Sequence, residues 1–319
     1  MIKLTISLFI FVLILTVSAN SSEEVNNLKK TDRPDVVLFV PGAGSSGSQM
    51  GGIGVGEILG WIRKNHFFKF YTKKLDEENI KSFICPKAKD KDRRTLSERK
   101  EECVTQILES TYCKKENNHQ KRTIAIFGHS MGGLIGRLVA KDHRVSPCIH
   151  SVTTLSTPHK GTAIADFVIR SSNEGTWLNI YNWVIYALDF NPKNKRYLKE
   201  LVMNRNNIRG GSQQFLAQDI SMNKDVYYYS FSSSFQETMI LPLYKTQEII
   251  SNEMKEIFGK DYDTINDGIV PEKSQIYGEY LGHIESTHFE AVCPDMLTKS
   301  VGCRNGTPII MKHFKKLFK

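Results

Sequence analysis

The chain has 319 residues, of which 43 are Lys or Arg and 34 are Asp or Glu, so its formal net charge is +9. Hydrophobic residues make up 40% and charged residues 24%, a balance that excludes a disordered or fibrous chain. No repeat with a period of about 20–50 residues is present, which excludes solenoids and propellers.

The first 19 residues have the features of a secretory signal peptide. Lys3 precedes the uncharged, mostly apolar run Leu4–Val17, and Val17-Ser18-Ala19 fits a cleavage site of small residues. The run is shorter than the roughly 20 apolar residues that span a membrane, although an uncleaved anchor is the alternative. We predict a signal peptide at residues 1–19 and a secreted protein with no transmembrane segment in the mature chain.

The region after the signal peptide starts with a strand. Asp35–Pro41 is a short apolar, β-branched run that predicts a buried strand, and a glycine-rich loop follows it. An apolar helix is expected near Ile58–Ile62 and a second strand at Phe67–Tyr71. The highly charged stretch Asp76–Arg94 is interpreted as a surface insertion.

The middle of the chain alternates strands with helices. Thr95 and Glu98 fit a capping box, and the helix behind them has an apolar face of Cys103, Val104, Ile107 and Leu108. Further elements are expected at Thr123–Phe127 (strand), Met131–Lys141 (helix), Ser151–Leu155 (strand) and Ile164–Ile169 (helix). This alternation predicts βαβ units with a parallel sheet, within a single domain at residues 20–319.

Export would allow disulfide bonds among the six cysteines, which are Cys85, Cys103, Cys113, Cys148, Cys293 and Cys303. The sequence alone does not decide which cysteines are bonded to each other. The one pair that we predict is Cys293–Cys303, which closes the shortest C-terminal loop. No C-x₂-C motif is present, so the spacing does not favour zinc.

The segment Gly128-His129-Ser130-Met131-Gly132 has the form G-x-S-x-G. A buried strand is predicted directly before it and an amphipathic helix directly after it. A nucleophile elbow requires this context, because the tight turn exposes the serine oxygen above the sheet. We therefore predict that Ser130 is a nucleophile, the alternative being a structural turn flanked by glycines.

A serine nucleophile needs a base and a group that orients the base. In folds with such an elbow the order along the chain is Ser, then Asp or Glu, then His. We favour Asp267, in a turn-forming Asp-Gly sequence, as the acid and His288 as the base. The alternatives are Asp261 and Asp263 for the acid, and His283 and His313 for the base.

The oxyanion that forms on attack needs backbone N–H donors. We expect them at Met131, directly after the nucleophile, and at Ala43, in the loop after the first strand. No G-K-[ST] follows this loop and no G-x-G-x-x-G opens a helix, so a nucleotide site is not expected.

Several blocks resemble the bacterial triacylglycerol lipases of the Pseudomonas and Burkholderia type, which are α/β-hydrolases. In chain order they are GHSMGGLIGRLVA, LSTPHKGTAIADFV, GGSQQFLAQD with VYYYSFSSS, NDGIVPEKSQIYG and THFEAV. The resemblance implies an α/β fold with a mostly parallel central sheet flanked by helices. It also implies that Ser130 is the nucleophile, Asp267 the triad acid and His288 the general base, with Ala43 and Met131 forming the oxyanion hole.

The chain departs from this family at two places. The His-Gly of the family's oxyanion loop is replaced by Pro41-Gly42, which removes a side-chain brace. The family's calcium ligands correspond to Glu290 and to a position near Lys245. A carboxylate can ligate calcium but a lysine cannot, so we predict no metal or other cofactor, with a calcium ion at Glu290 as the alternative.

The segment Gly175–Phe190 is unusually rich in aromatic and aliphatic residues. In the resembled lipases this region is a mobile lid over the active site, which implies a helical lid insertion at residues 173–208. The alternative is ordinary core packing.

These observations predict a secreted serine hydrolase that cleaves carboxylic esters of lipids at an interface, most simply a triacylglycerol lipase. A phospholipase, a soluble carboxylesterase, an acyl-thioesterase, a GPI-type deacylase and an acyltransferase use the same machinery. The non-enzymatic alternative is a lipid-binding pseudo-hydrolase. No pattern typical of nucleic-acid binding is present.

Overall fold

The computed structural model describes residues 33–42, 68–85, 95–113, 123–174, 196–204, 206, 215–236, 241–294 and 297–319. Within them the strands are β1 (Val36–Val40), β2 (Lys81–Ile84), β3 (Ile124–His129), β4 (Ile149–Leu155), β5 (Tyr227–Ser234) and β6 (Glu279–Glu285). The helices are α1 (Lys69–Glu77), α2 (Leu96–Glu109), α3 (Met131–Lys141), α4 (Ala163–Glu174), α5 (Leu241–Phe258), α6 (Glu272–Gln275) and α7 (Val301–Phe318). The predicted signal peptide, the helix near Ile58–Ile62, the donor Ala43 and most of the predicted lid lie outside the described residues.

The six strands form one sheet in the order β2-β1-β3-β4-β5-β6, and every neighbouring pair is parallel. β1, β3 and β4 are buried along their whole length, as expected for parallel strands covered by helices on both faces. The predicted α/β-hydrolase class, a parallel sheet flanked by helices, is confirmed.

Alternate residues of β1 belong to two separate apolar clusters. Val36 and Leu38 pack with residues of α2, α3, α4 and α5 on one face of the sheet. Val37 and Phe39 pack with residues of α1 and α7 on the other face. None of the helices that the structure describes is long and apolar enough to cross a bilayer.

The order of elements between β1 and α2 differs from the prediction. The expected strand Phe67–Tyr71 is wrong, because Lys69–Glu77 is a helix that buries Tyr71 and Leu75. The second strand is instead β2, inside the stretch that we interpreted as a surface insertion. β2 lies at the edge of the sheet and none of its residues is buried. An edge strand of this kind does not need consecutive apolar residues, so its sequence resembles that of a surface segment.

The predicted apolar face of α2 is correct for three of its four residues. Cys103, Val104 and Ile107 are buried, whereas Leu108 is 47% exposed. The predicted capping box at the start of this helix is present, with Thr95 and Glu98 bonding each other's backbone N–H groups. The end of the apolar face therefore lies one residue earlier than the pattern indicated.

Three disulfide bonds join the six cysteines: Cys85–Cys103, Cys113–Cys148 and Cys293–Cys303. The predicted Cys293–Cys303 bond is among them. It links the segment after β6 to the first turn of α7, next to the loop that carries His288.

Candidate active site

Ser130 lies in the tight turn between β3 and α3. Its backbone has φ 55° and ψ −133°, a conformation that non-glycine residues rarely adopt and that costs about 1–3 kcal/mol. Two backbone hydrogen bonds hold the turn. The N–H of Ser130 donates to the carbonyl of Leu155, at the end of β4, at 2.9 Å, and the N–H of Gly133 donates to the carbonyl of Ser130 at 3.0 Å. This backbone conformation places the side chain of Ser130 beyond the end of β3.

The two glycines of the G-x-S-x-G segment are required by close packing. A Cβ on Gly132 would lie 1.9 Å from the carbonyl oxygen of Val40, so α3 could not approach β1 with any larger residue there. A Cβ on Gly128 would lie 2.5 Å from the Cα of Gly133. Both distances are far shorter than real Cβ contacts allow, so larger residues would displace the elbow.

The structure brings the three predicted triad residues together. The hydroxyl of Ser130 lies 2.9 Å from Nε2 of His288, and Nδ1 of His288 lies 2.8 Å from Oδ2 of Asp267. An ionised carboxylate can only accept, so Nδ1 carries the imidazole proton and Nε2 accepts from the serine hydroxyl. His288 is 2% exposed and Asp267 is fully buried, so water does not compete for these hydrogen bonds.

Asp267 is held by donors on both of its oxygens. Oδ1 accepts from the backbone N–H groups of Ile269 at 3.0 Å and Val270 at 2.7 Å. Oδ2, which faces His288, also accepts from the hydroxyl of Ser233 at 3.0 Å. The carboxylate therefore has one orientation, with Oδ2 presented to the imidazole.

The alternative acids and bases lie elsewhere. Nδ1 of His283 is 2.9 Å from Oε1 of Glu272, and Nε2 of His313 is 2.9 Å from the hydroxyl of Thr153. Asp261 and Asp263 are exposed, and Asp263 lies 3.5 Å from Lys273. The structure does not bring these four alternatives to Ser130.

Of the two predicted oxyanion donors, the structure describes only Met131, which directly follows Ser130. Met131 is buried and is the first residue of α3, where a helix leaves its N–H groups without intrahelical acceptors. Ala43 is outside the described residues, but the preceding Gly42 is so close that a Cβ on it would lie 2.7 Å from the Cβ of Ser130. Gly42, the last described residue after β1, therefore lies directly against Ser130.

Arg99 supports this loop from α2, a role that the sequence analysis missed. Its Nη2 donates to the carbonyls of Pro41 at 3.2 Å and Gly42 at 3.4 Å. Its Nη1 lies 3.9 Å from the sulfur of Met131. One signal was available in the sequence, because Arg99 lies four residues before Cys103 and thus on the apolar face of the helix.

The residues at the family's calcium positions do not fit a calcium site. The carboxylate of Glu290 accepts from the N–H of Thr287 at 3.1 Å and from its hydroxyl at 2.8 Å. Lys245, a cation, lies 3.4 Å from Glu248. No group of three acidic, histidine or cysteine side chains suited to a metal occurs in the described ranges.

Contacts within the protein hold the loop that carries His288. Tyr71 of α1 donates its hydroxyl hydrogen to the carbonyl of Ala291 at 3.2 Å, and the Cys293–Cys303 bond ties the end of the loop to α7. A Cβ on Gly302 would lie 2.4 Å from the Cβ of Ser286, so α7 packs directly on the start of the loop.

Two buried titratable groups have shifted pKa values, His129 beside Ser130 and Glu200 beside the start of α2. Burial, and then the nearby His288, lower the pKa of His129 well below 6.5. Burial raises the pKa of Glu200 to about 7, and this carboxylate accepts from the N–H of Leu96 at the start of α2 at 2.8 Å. His129 is therefore neutral at physiological pH, whereas the carboxyl group of Glu200 changes between its protonated and ionised forms at about pH 7.

The block LSTPHKG, which contributed to the family resemblance, has a structural explanation. His159 lies with Nδ1 3.0 Å from Nη1 of Arg137 and stacks on Tyr277 with ring centroids 4.8 Å apart. The guanidinium of Arg137 lies 3.6 Å from the centroid of the same tyrosine ring. These side chains join α3 to the segment between α6 and β6.

Comparison with known proteins gives a family and a set of related enzymes. Residues 33–257 match the family described as "PGAP1-like alpha/beta domain". The chain is 25% identical over 179 residues to "Triacylglycerol lipase 2" of Saccharomyces cerevisiae, covering 56% of this chain and 48% of that protein. It is 44% identical over 66 residues to a "Triacylglycerol lipase" of Burkholderia plantarii, covering 20% of this chain and 15% of that protein. The chain thus spans about half the length of the yeast relative, and the Burkholderia likeness covers only a fifth of the chain.

A solved structure agrees with the fold along most of the chain. The mature lipase BlEst2 of Bacillus licheniformis superposes with a TM-score of 0.52 at 16% identity, covering 91% of this chain and 94% of the lipase. These likenesses support an α/β-hydrolase of the lipase and esterase type, and they do not single out the Pseudomonas and Burkholderia type that the sequence blocks resemble.

Proposed function

The chain belongs to the PGAP1-like alpha/beta domain family, and from this premise we propose that it is a serine hydrolase that cleaves carboxylic esters of lipids, most simply triacylglycerols. The observation that carries the proposal is the path from the hydroxyl of Ser130 through His288 to Asp267, with distances of 2.9 and 2.8 Å. The relatives described as triacylglycerol lipases support the choice of substrate.

The first half of the reaction transfers the acyl group to the enzyme. Oγ of Ser130 attacks the ester carbonyl while Nε2 of His288 takes its proton, and buried Asp267 stabilises the imidazolium that forms. The negative charge on the former carbonyl oxygen is stabilised by the backbone N–H groups of Met131 and Ala43. His288 then protonates the alcohol as the C–O bond breaks, which leaves an acyl ester on Ser130.

The second half releases the fatty acid. Water enters, His288 removes its proton, and the hydroxide attacks the acyl carbonyl. The tetrahedral intermediate collapses, and the proton on His288 returns to the oxygen of Ser130. No step requires a metal ion.

Secretion is part of the same proposal. Disulfide bonds form and persist in oxidising compartments, and all six cysteines are paired. This pairing supports export through a signal peptide at residues 1–19. The proposal also includes one hydrolase domain at residues 20–319 with a lid at residues 173–208.

Fatty-acid release from tributyrin tests the proposal, with Ser130→Ala as the control. We expect hydrolysis by the wild-type protein to rise steeply once the ester exceeds its solubility and droplets form, and the variant to lose it. Saturation below the solubility limit would instead identify an esterase for dissolved substrates. Unchanged hydrolysis by the variant would overturn the serine mechanism.

Two further measurements separate the remaining alternatives. A fluorophosphonate probe should label Ser130 in the folded protein, and no labelling would identify a lipid-binding pseudo-hydrolase. Parallel assays with a phospholipid and an acyl thioester at equal acyl-chain length identify the preferred head group. A preference for either over the triglyceride would overturn the triacylglycerol assignment and leave the triad intact.

A further inference from the structure

His129 is the last residue of β3 and directly precedes the nucleophile. Its Nε2 lies 2.9 Å from the backbone carbonyl oxygen of His288, and the two imidazole rings lie 4.7 Å apart between centroids. The side chain is buried, with only 1% of the residue exposed. One side chain thus connects the strand that ends at Ser130 to the backbone of the base.

The direction of this hydrogen bond follows from its acceptor. A carbonyl oxygen has no hydrogen to donate, so Nε2 of His129 carries the proton and donates it to His288. Burial lowers the pKa of His129 well below 6.5 and the nearby His288 lowers it further. The ring is therefore neutral, and its single N–H is used in this contact.

The neutral state matters for the proposed reaction. His288 becomes a cation each time it accepts a proton from Ser130. A charged ring with its centroid 4.7 Å away would oppose that step, because two like charges repel strongly where water is excluded. A neutral His129 supports the backbone of His288 without this repulsion.

The peptide unit of His288 is held from both directions. Its N–H donates to the carbonyl of Asp267 at 2.9 Å, and its carbonyl accepts from His129. The first bond joins the base to the acid loop, and the second joins it to the nucleophile elbow. The second therefore links the backbone of His288 directly to the strand that leads into Ser130.

We propose that His129 is a positioning residue, whose hydrogen bond to the carbonyl of His288 sets the base at hydrogen-bond distance from Ser130. This inference rests on the proposed serine hydrolase function. Because His129 acts through His288, removing its hydrogen bond should lower kcat and leave KM nearly unchanged. Small displacements of catalytic groups reduce rates by up to about 10²-fold, so we expect a loss of about 10- to 100-fold.

Three substitutions at this position separate the hydrogen bond from the ring. His129→Phe retains an aromatic ring and loses the donor. His129→Gln places an amide nitrogen the same number of bonds from Cβ as Nε2, whereas the amide of His129→Asn is one bond shorter. His313→Phe is the matched control, because His313 is also a buried histidine that bonds a hydroxyl at 2.9 Å, that of Thr153.

The measurements are kcat and KM on a dissolved short-chain ester, the rate of Ser130 labelling by a fluorophosphonate, and the thermal midpoint. We expect His129→Phe to lose kcat and labelling rate together. His129→Gln should recover both to within about fivefold of wild type, with the pH midpoint of kcat/KM unchanged. His313→Phe should lower the thermal midpoint and leave kcat unchanged.

A wild-type kcat in His129→Phe, or no recovery in a folded His129→Gln, would overturn the inference. If His129→Phe does not fold, the Gln and Asn variants decide, because equal rates in these two would also overturn it. Failure of the proposed function has a different signature, since the wild-type protein would then show neither labelling nor hydrolysis that depends on Ser130.

Discussion

Arg99 donates from Nη2 to the carbonyl oxygen of Pro41 at 3.2 Å, across 58 residues of sequence. The same nitrogen reaches the carbonyl of Gly42, which lies against Ser130. Pro41 stands where the resembled lipases have a histidine, so the side-chain brace that this histidine gives the oxyanion loop is absent here. The structure supplies a brace from another element, the guanidinium of a buried arginine on α2.

Replacing Arg99 by methionine should therefore impair catalysis more than folding. The variant keeps an apolar stem and leaves the carbonyls of Pro41 and Gly42 without this donor, so the oxyanion loop is no longer fixed. We expect kcat to fall by about 10- to 100-fold, with KM on a dissolved ester within a few-fold. Arg144→Met, which removes the ion pairs that the exposed Arg144 makes with Glu101 and Asp142, is the control, and an equal effect in both variants would contradict the role of Arg99.

Asp267→Asn should abolish most activity without disturbing the fold. The backbone N–H groups of Ile269 and Val270 require an oxygen at the position of Oδ1, so the amide nitrogen must face His288. Nδ1 then has to accept, which moves the imidazole proton to Nε2 and prevents it from accepting the proton of Ser130. We expect kcat to fall by about 10⁴-fold, measured on a dissolved ester. An Asp263→Asn variant should retain full activity, and a loss there would favour the alternative acid.

Removing the Cys293–Cys303 bond should lower both stability and activity. The bond closes a separation of 10 residues, so replacing both cysteines by serine should cost about 2–3 kcal/mol in the free energy of unfolding. It also frees the loop behind His288, so kcat should fall at temperatures where the protein remains folded. Urea denaturation and steady-state kinetics measure the two effects.

The matched control for that variant is removal of Cys113–Cys148, whose separation of 35 residues is larger. It joins a short 3₁₀ helix to the start of β4, at the end of the sheet opposite the carboxyl ends where Ser130 lies. We expect it to destabilise the protein at least as much and to leave kcat unchanged. An equal fall of kcat in both double variants would show that the loss reflects stability alone.

Glu200 should make the protein less stable as the pH rises. Burial raises the pKa of Glu200 from 4.5 to about 7, so between these values the folded state keeps a proton that the unfolded chain has released. The free energy of unfolding therefore falls with increasing pH through this range. Glu200→Gln keeps an oxygen for the N–H of Leu96 and cannot ionise, so it should remove the fall.

We expect Glu200→Gln to match the wild-type stability near about pH 5 and to exceed it by at least about 1 kcal/mol near about pH 8. Urea denaturation at both pH values measures this difference. Glu248→Gln, at an exposed position on α5, should show the same difference from wild type at both pH values. A pH-independent effect of Glu200→Gln would contradict the assignment.

Three of the six described strands, β1, β3 and β4, could be predicted, as could the three residues brought together at the carboxyl edge of the sheet, because the sequence carries a signal for each. β1, β3 and β4 are buried on both faces, so each appears as a continuous apolar run. The elbow around Ser130 is a short segment between a strand and a helix, and Asp267 and His288 follow in the order expected for such a fold. The prediction for the region of α1 and β2 was wrong, because a short strand at the edge of the sheet has no apolar pattern in its sequence.

The amino-acid sequence by itself determined the α/β class and the G-x-S-x-G turn around Ser130, since each depends on residues that are neighbours in the chain. Asp267 and His288 were predicted from the order of triad residues expected for such a fold. Only the tertiary structure decided which side chains support that triad. Arg99 and His129 reach Pro41 and His288 through contacts between distant segments. Such contacts depend on how helices and loops pack on the sheet. The sequence around a charged or polar residue does not indicate which backbone carbonyl its side chain will contact in the folded protein.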